Sequence, residues 1–439
     1  MTTTQSQPSE VDLANDDKLA VAQQSLPISR QNKGLGYLEH DLIPEAIARL
    51  DWSLLREDLS LPVAVLHAAK LIHNLEWMRR FIGAYGVQLA PHGKTTMAPK
   101  LFNMQMSNGA WGITLATAHQ ALVAWEHGIR RVLMANQLVG RQNMAIVSHM
   151  LEDRDFEYFC LVDSAESVRQ LGAFFSQRGQ RIHVLLEIGI EGGRGGVRDD
   201  GQLHAVLEAV SASHGAVVLD GVELYEGILD DEAAVRSFLE RAAAITKSLI
   251  AEGRIDRKVP ILSGAGSTWF DVVAEVFSGT KFQQPVEIVL RPGCYLTHDA
   301  GFYREAHAKI LERNPVAREM LQSLQPALQV WAYVQSVPEE TRAVIGIGKR
   351  DASFDLGLPM PAVHFRPGET RPKPAPSHWK LTKMMDQHAY LDIATGDDVR
   401  VGDMIAFDIS HPCLTFDRWR IIHVIDSEYR VADIVQTFF

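Results

Sequence analysis

The sequence predicts an α/β fold: a (β/α)8 barrel followed by a mostly β C-terminal domain. Three observations predict it. Between about residues 68 and 320, short apolar runs alternate with longer helical patterns, which is the signature of parallel strands joined by crossover helices. Eight such runs follow one another, the number that closes a barrel. After about residue 325 the long helical patterns stop, and strand-like runs follow with mainly turns between them.

The elements are predicted in order. Residues 1–34 are rich in Gln, Ser, Thr and Asp and read as a flexible tail. From Leu35 the chain becomes mixed, with Trp52, Leu54 and Leu55 as anchors. Residues 62–66 form a strand, and apolar spacing makes 68–85 a helix. Barrel strands are expected over 87–90, 111–115, 132–135, 156–162, 182–188, 217–224, 259–262 and 286–290, with helices over 116–127, 164–176 and 232–251 among those between them. Further strands are expected over 330–337, 343–347, 390–393, 404–409 and 419–425, with the Pro-rich 366–376 as a loop. The barrel domain then spans 68–320. Segments 35–67 and 321–439 together make the β domain.

Composition limits the function. The chain has 439 residues, 46% hydrophobic and 22% charged, which is ordinary for a globular protein and long enough for two domains. A net charge of −11 argues against nucleic acid and anionic membranes as partners. The three cysteines, Cys160, Cys294 and Cys413, are too few and too widely spaced for a disulfide framework, so a cytoplasmic location is expected. There is no signal peptide pattern and no apolar run of ~18 residues for a membrane helix.

Chemistry-bearing residues cluster where predicted strands end. The first barrel strand runs into Ala90-Pro91-His92-Gly93-Lys94-Thr95-Thr96, where Pro and Gly break the strand. Lys94 then stands at a strand mouth. A lone lysine there is usually a solvated surface residue; the sharper reading is a Schiff-base lysine. The fifth strand leads to Glu191-Gly-Gly-Arg194-Gly-Gly196-Val197, the sixth to Tyr225-Glu226-Gly227, the seventh to Ser263-Gly264-Ala265-Gly266-Ser267-Thr268 and the eighth to Arg291-Pro-Gly293-Cys294-Tyr295. Loops after the last two strands of such barrels often hold phosphate, and backbone N–H groups before a helix suit it. A Gly/Ser turn that caps a helix explains the seventh segment equally well when taken alone. A lysine, a phosphate cradle and an arginine around one barrel mouth together fit pyridoxal 5′-phosphate.

In the β domain, His411-Pro412-Cys413 places imidazole and thiol two residues apart, on one side if the segment is a strand. Isolated, this is most often a packed histidine beside a buried cysteine. As a pair it suits Zn2+, with open positions for water or substrate.

Together these motifs resemble the D-serine dehydratase and D-threonine aldolase family, which has the alanine-racemase fold and is called fold-type III among pyridoxal-phosphate enzymes. The resemblance covers about residues 61–437. It implies that Lys94 carries the cofactor and that Arg194 contacts its ring. Tyr225 would lie at the cofactor, and Ser263, Gly264, Gly266, Ser267, Thr268, Gly293, Cys294 and Tyr295 would form its phosphate-side loops. His411 and Cys413 would be the metal pair, and His388 a candidate acid or base or else a structural residue of the β domain. The chain departs from the family at Ala90, at Thr96-Met97, at Gly346 and at Asp386-Gln387-His388-Ala389. These positions fall on the substrate side and leave D-serine, D-threonine, 3-hydroxy-D-aspartate and D-glucosaminate all open.

The resemblance implies a homodimeric lyase for 3-hydroxy-D-amino acids, with pyridoxal phosphate and a divalent metal. A thiolate ligand favours zinc and dehydration to a 2-oxo acid and ammonia. The aldolases, with Mn2+ or Mg2+, cleave Cα–Cβ instead. A racemase would have no need of the metal pair, and a cofactor carrier would lack the β domain.

Overall fold

The computed structural model describes residues 26–439; most of the predicted 1–34 tail, residues 1–25, lies outside them. Residues 26–34 are packed rather than free: Ile28 is fully buried and exchanges backbone hydrogen bonds with Leu42, and the Gly34 carbonyl lies 3.0 Å from His423 Nε2.

Strand β1 (Val63–His67) precedes helix α1 (Ala68–Tyr85). The barrel strands are β2 (Gln88–Leu89), β3 (Ile113–Leu115), β4 (Arg131–Gln137), β5 (Glu157–Val162), β6 (Ile182–Ile188), β7 (Val217–Leu224), β8 (Ile261–Gly264) and β9 (Glu287–Leu290). All pair in parallel, in the order β2-β9-β8-β7-β6-β5-β4-β3. The two ends of that path meet. Trp111 N donates to Leu89 O, Thr114 N donates to Pro91 O, and His92 bridges Thr114.

The strands read as unbroken apolar runs because both faces are buried. In β5, Phe159 and Leu161 face the barrel interior with Leu133, Leu185 and Val289. Tyr158, Cys160 and Val162 face the surrounding helices. Successive side chains must point to opposite faces, and here both faces meet packed apolar atoms. Each fully buried side chain of this kind contributes about 1.5–3 kcal/mol.

The helices start where the sequence offers a cap. Ser164 Oγ accepts from Ser167 N, and Asp231 accepts from Ala234 N, satisfying backbone donors that the first turn leaves free. Hence α5 spans Ala165–Ser176 and α7 spans Glu232–Ala251. Between β3 and β5 lie α3 (Ala118–Glu126) and α4 (Arg141–Met150); α2 (Pro99–Ser107) precedes β3 and α6 (Asp200–Ala212) precedes β7. After β8 come α8 (Phe270–Gly279), α9 (Phe302–Arg313) and α10 (Pro315–Glu319).

The β domain contains β10 (Leu328–Glu339), β11 (Arg342–Ile345), β12 (Met360–Phe365), β13 (Lys373–Pro374), β14 (Lys380–Met384), β15 (Ala389–Asp392), β16 (Met404–Asp408), β17 (Ile421–Ile425) and β18 (Val431–Gln436), with the short helix α11 (Cys413–Phe416) before β17. As expected, β1 joins it, antiparallel to β10 and parallel to β17. Strands β12, β13, β14 and β18 add to the expected set, and β13 falls inside the predicted loop 366–376. The β domain closes onto the barrel mouth: Phe438 N donates to Met97 O, Ala300 N donates to Ile409 O, and Lys100 pairs with Asp433. Among the described residues no helix is long and apolar enough to cross a membrane.

Candidate functional site

Where β2 ends, the chain turns through a short 3-10 segment, Gly93–Thr95, that presents Lys94 at the barrel mouth. Two glycines make this geometry possible. A Cβ on Gly93 would lie 2.7 Å from the Phe102 ring. A Cβ on Gly293 would lie 2.7 Å from both His92 O and Thr95 Oγ1. The loop after β9 is thereby pressed against the loop that carries Lys94.

One cavity of about 150 Å3 collects the mouth residues. Lys94, Arg194, Tyr225, Gly266, Ser267, Gly293, Cys294 and Cys413 all line it. Lys94 and Arg194 are exposed there, and burial raises the Tyr225 hydroxyl above its usual range.

Several predicted residues lie elsewhere. Strand β8 runs two residues further than expected, so Ser263 and Gly264 belong to the strand. Ser263 is fully buried, donates to Val289 O at 3.0 Å and accepts from Arg291 Nε at 3.1 Å. Thr268 does not line the cavity, and its carbonyl accepts from Arg313. Tyr295 is buried behind the loop, its hydroxyl accepting from Gln105. His388 sits in the β14–β15 hairpin turn, with its ring 5.4 Å from that of Tyr390, outside this chain's cavity.

The predicted phosphate loop holds an anion of the protein's own. The N–H groups of Ala265 (3.0 Å) and Gly266 (2.6 Å) donate to the fully buried Glu226 carboxylate. Ala265 adopts φ +80, which turns successive N–H groups to one side as in an anion nest. Burial raises Glu226, and these N–H bonds act the other way. Ala265, Gly266 and Ser267 of this loop line the cavity, beside Gly293 and Cys294.

The sequence reading gave the cavity floor no role. Glu187, Glu223 and Arg291 line it and are 4%, 1% and 4% exposed. Arg291 pairs with Glu223, and its Nη2 donates to Leu224 O at 2.9 Å. Burial pushes Glu223 up to about 7 against the opposing charge of Arg291, and its Oε2 has no hydrogen-bond partner. Burial also raises Glu187. The signal was present: a charged residue one position before the end of β6 and of β7, and directly after β9. Tyr303, at the start of α9, lines the cavity too, on a helix that carried no motif.

The metal pair is built differently from the expectation. His411 and Cys413 do not lie on a strand. Pro412 is helical, at φ −57 and ψ −42, and caps α11. The pair is brought together by this turn, and strand alternation plays no part. His411 Nδ1 lies 2.7 Å from Asp355 Oδ2, which leaves Nε2 as the ring's remaining donor atom. Hydrogen bonding to Cys413, with help from Asp355, raises His411 to about 9. The Cys413 thiol is held well below its usual range, first by Cys294 and then by His411 and Thr95. Cys294 is raised in turn, first by Cys413.

An imidazole fixed by a carboxylate beside an acidified thiol is a donor set that fits a soft divalent metal. Among the described residues no cluster of three or more His, Cys, Asp and Glu side chains forms a metal site. The two donors would therefore leave positions open.

Comparisons with known proteins follow this division of the chain. Residues 66–280 match the family "Alanine racemase, N-terminal domain", and residues 327–425 match "Putative serine dehydratase domain". The D-threonine aldolase of an Arthrobacter species is 26% identical over 363 residues, covering 81% of this chain and 86% of its own. The D-threo-3-hydroxyaspartate dehydratase of Delftia sp. (strain HT23) is 28% identical over 189 residues, covering 42% of this chain and 49% of its own; a Cys→Ala variant of that dehydratase has been solved in a metal-free form. The crystal structure of D-threonine aldolase from Filomicrobium marinum superposes with a TM-score of 0.71 at 23% identity, over 88% of this chain and 97% of that one. With the two matched domains in series on this fold, the chain belongs to the fold-type III pyridoxal-phosphate enzymes.

Proposed function

We propose that this enzyme is a metal-dependent dehydratase of 3-hydroxy-D-amino acids, D-serine or D-threonine, releasing a 2-oxo acid and ammonia. The observation that carries this reading is Cys413: an acidified thiol beside a carboxylate-held histidine, lining the same cavity as Lys94. Pyridoxal phosphate, when bound, supplies an electron sink for the charge left at Cα. Lys94 Nζ, at the mouth, would bind the aldehyde and take the α-proton. Arg194 would donate to the polar edge of the ring. Gly266, Ser267, Gly293 and Cys294 would hold the phosphate side.

His411 and Cys413 would hold the metal, most readily Zn2+ given the thiolate, and a metal bound there would supply Lewis acidity toward the substrate hydroxyl. Zinc brings bound water from the pKa of free water down to about 7, a change that bounds its contribution at roughly 12 kcal/mol. A homodimer whose β domains complete each other's cavities is the expected assembly. The position of His388 outside its own chain's cavity supports it.

Cα–Cβ cleavage to glycine and an aldehyde is the second reading, favoured by the broad coverage of the aldolase relative. A substitution tests the metal's part: Cys413→Ala abolishes 2-oxo acid formation while the bound cofactor keeps its absorbance. Elimination at the normal rate in that variant contradicts the metal assignment.

A further inference from the structure

We propose that Cys294 and Cys413 are a peroxide-sensitive thiol pair, joined by hydrogen peroxide into a disulfide that ties the β domain to the barrel mouth. The two residues are 119 positions apart, yet their sulfurs lie 3.7 Å from each other. Both also approach Thr95 Oγ1, Cys413 at 3.5 Å and Cys294 at 4.0 Å. Closing to a bond of about 2.05 Å takes a movement of roughly 1.7 Å.

Access is graded. Both cysteines line the cavity, but Cys413 is part-exposed whereas Cys294 is 3% exposed. The third cysteine, Cys160, is fully buried on the helix-facing side of β5. A small oxidant entering the cavity therefore meets Cys413 first. Its sulfur attacks one peroxide oxygen, the O–O bond breaks, and water leaves with the thiol proton. Cys413 is then a sulfenic acid. Cys294 attacks that sulfur, the S–S bond forms, the S–O bond breaks and a second water leaves. Two thiols and one peroxide become one disulfide and two waters; sulfur is oxidised and peroxide reduced.

The link would also remove the thiolate from the His411/Cys413 pair. That consequence rests on the metal reading above; the cross-link does not.

The test uses the full chain loaded with pyridoxal phosphate, stripped of metal by a chelator and exposed to hydrogen peroxide. Intact mass should fall by about 2 Da, the two hydrogens lost. Peptide mapping should give a Cys294–Cys413 link, and thiols titrated after denaturation should drop from the three of the sequence to one. Dithiothreitol should restore them. The Cys294→Ser variant should instead gain oxygen at Cys413. Sulfinic acid at Cys413 without a link in the unmodified chain, a link through Cys160, or no change in thiols would each overturn the proposal. A parallel sample loaded with Zn2+ separates the two claims. Protection supports both, and equal cross-linking leaves the thiol pair standing and removes the metal reading.

Discussion

Asp355 lies 2.7 Å from His411 Nδ1 and commits one ring nitrogen. Carboxylates in that position fix a ligand's tautomer and aim its other nitrogen, and losing one typically costs 10–100-fold in metal affinity. Asp355→Asn should therefore weaken Zn2+ binding by about that factor, read by competition with a chromophoric chelator, with little change in the cofactor spectrum. Unchanged affinity would remove His411 from the metal pair. At this scale the sequence was legible wherever a residue followed a strand whose end was clear. Lys94 follows Pro91, and Arg194 sits in a glycine turn; both reach the cavity. Ser263 was misplaced because β8 continues to Gly264, which buries its hydroxyl in the barrel wall. Glu223 was taken into a strand, and Arg291 was quoted at a strand end, but neither was given a role, because their pairing under the cavity joins two strands that are far apart in sequence.

Among elements, those set by local rules were the readable ones. Helix α1 ends at Tyr85 because Gly86 takes the left-handed cap at φ +64, and its apolar spacing is unbroken. Strand β12 was invisible: five of its six residues are only half-buried, so no period-2 contrast marks it. The same reasoning ranks two glycines. Gly83, within α1, has nothing within 4 Å of a built Cβ, so Gly83→Ala should stabilise by about 0.5–1 kcal/mol. Gly293→Ala would drive a methyl into the backbone of His92. It should destabilise by about 1–3 kcal/mol and weaken cofactor binding, because the crowded loop carries Lys94. Denaturant melts and cofactor titration of the two variants would show opposite signs in stability; equal effects would contradict the close packing of these loops.

For the whole molecule, the division into barrel and β domain was legible from the change of rhythm near residue 325, but the meeting of the two was not. Cys294 and Cys413 are far apart in sequence and adjacent in space, a relation that only the closure of the β domain over the mouth creates. Acid stability is likewise a sum over both domains. Burial lowers His67, His307 and His423 to about 4 and His298 to about 3. A histidine with a lowered folded pKa binds its proton more tightly when unfolded. Its contribution is fully present above pH 6.5 and lost as pH falls toward 4, about 3 kcal/mol each. Glu223, raised to about 7, and Asp299, raised to about 6, act oppositely, since a carboxylate with a raised pKa favours the folded state as pH falls. Glu187 and Glu226, which burial raises as well, join the carboxylates on the opposing side, so the prediction is made at one histidine. Between pH 7 and 4 the unfolding midpoint should fall less in His423→Leu than in the unmodified chain. Identical slopes would contradict a buried neutral His423.

The most direct test of the function is product analysis with D-threonine, using protein loaded with pyridoxal phosphate and Zn2+, with and without a chelator. The account predicts 2-oxobutanoate and ammonia, both lost on chelation. Glycine and acetaldehyde would contradict it and assign Cα–Cβ cleavage to the same cavity.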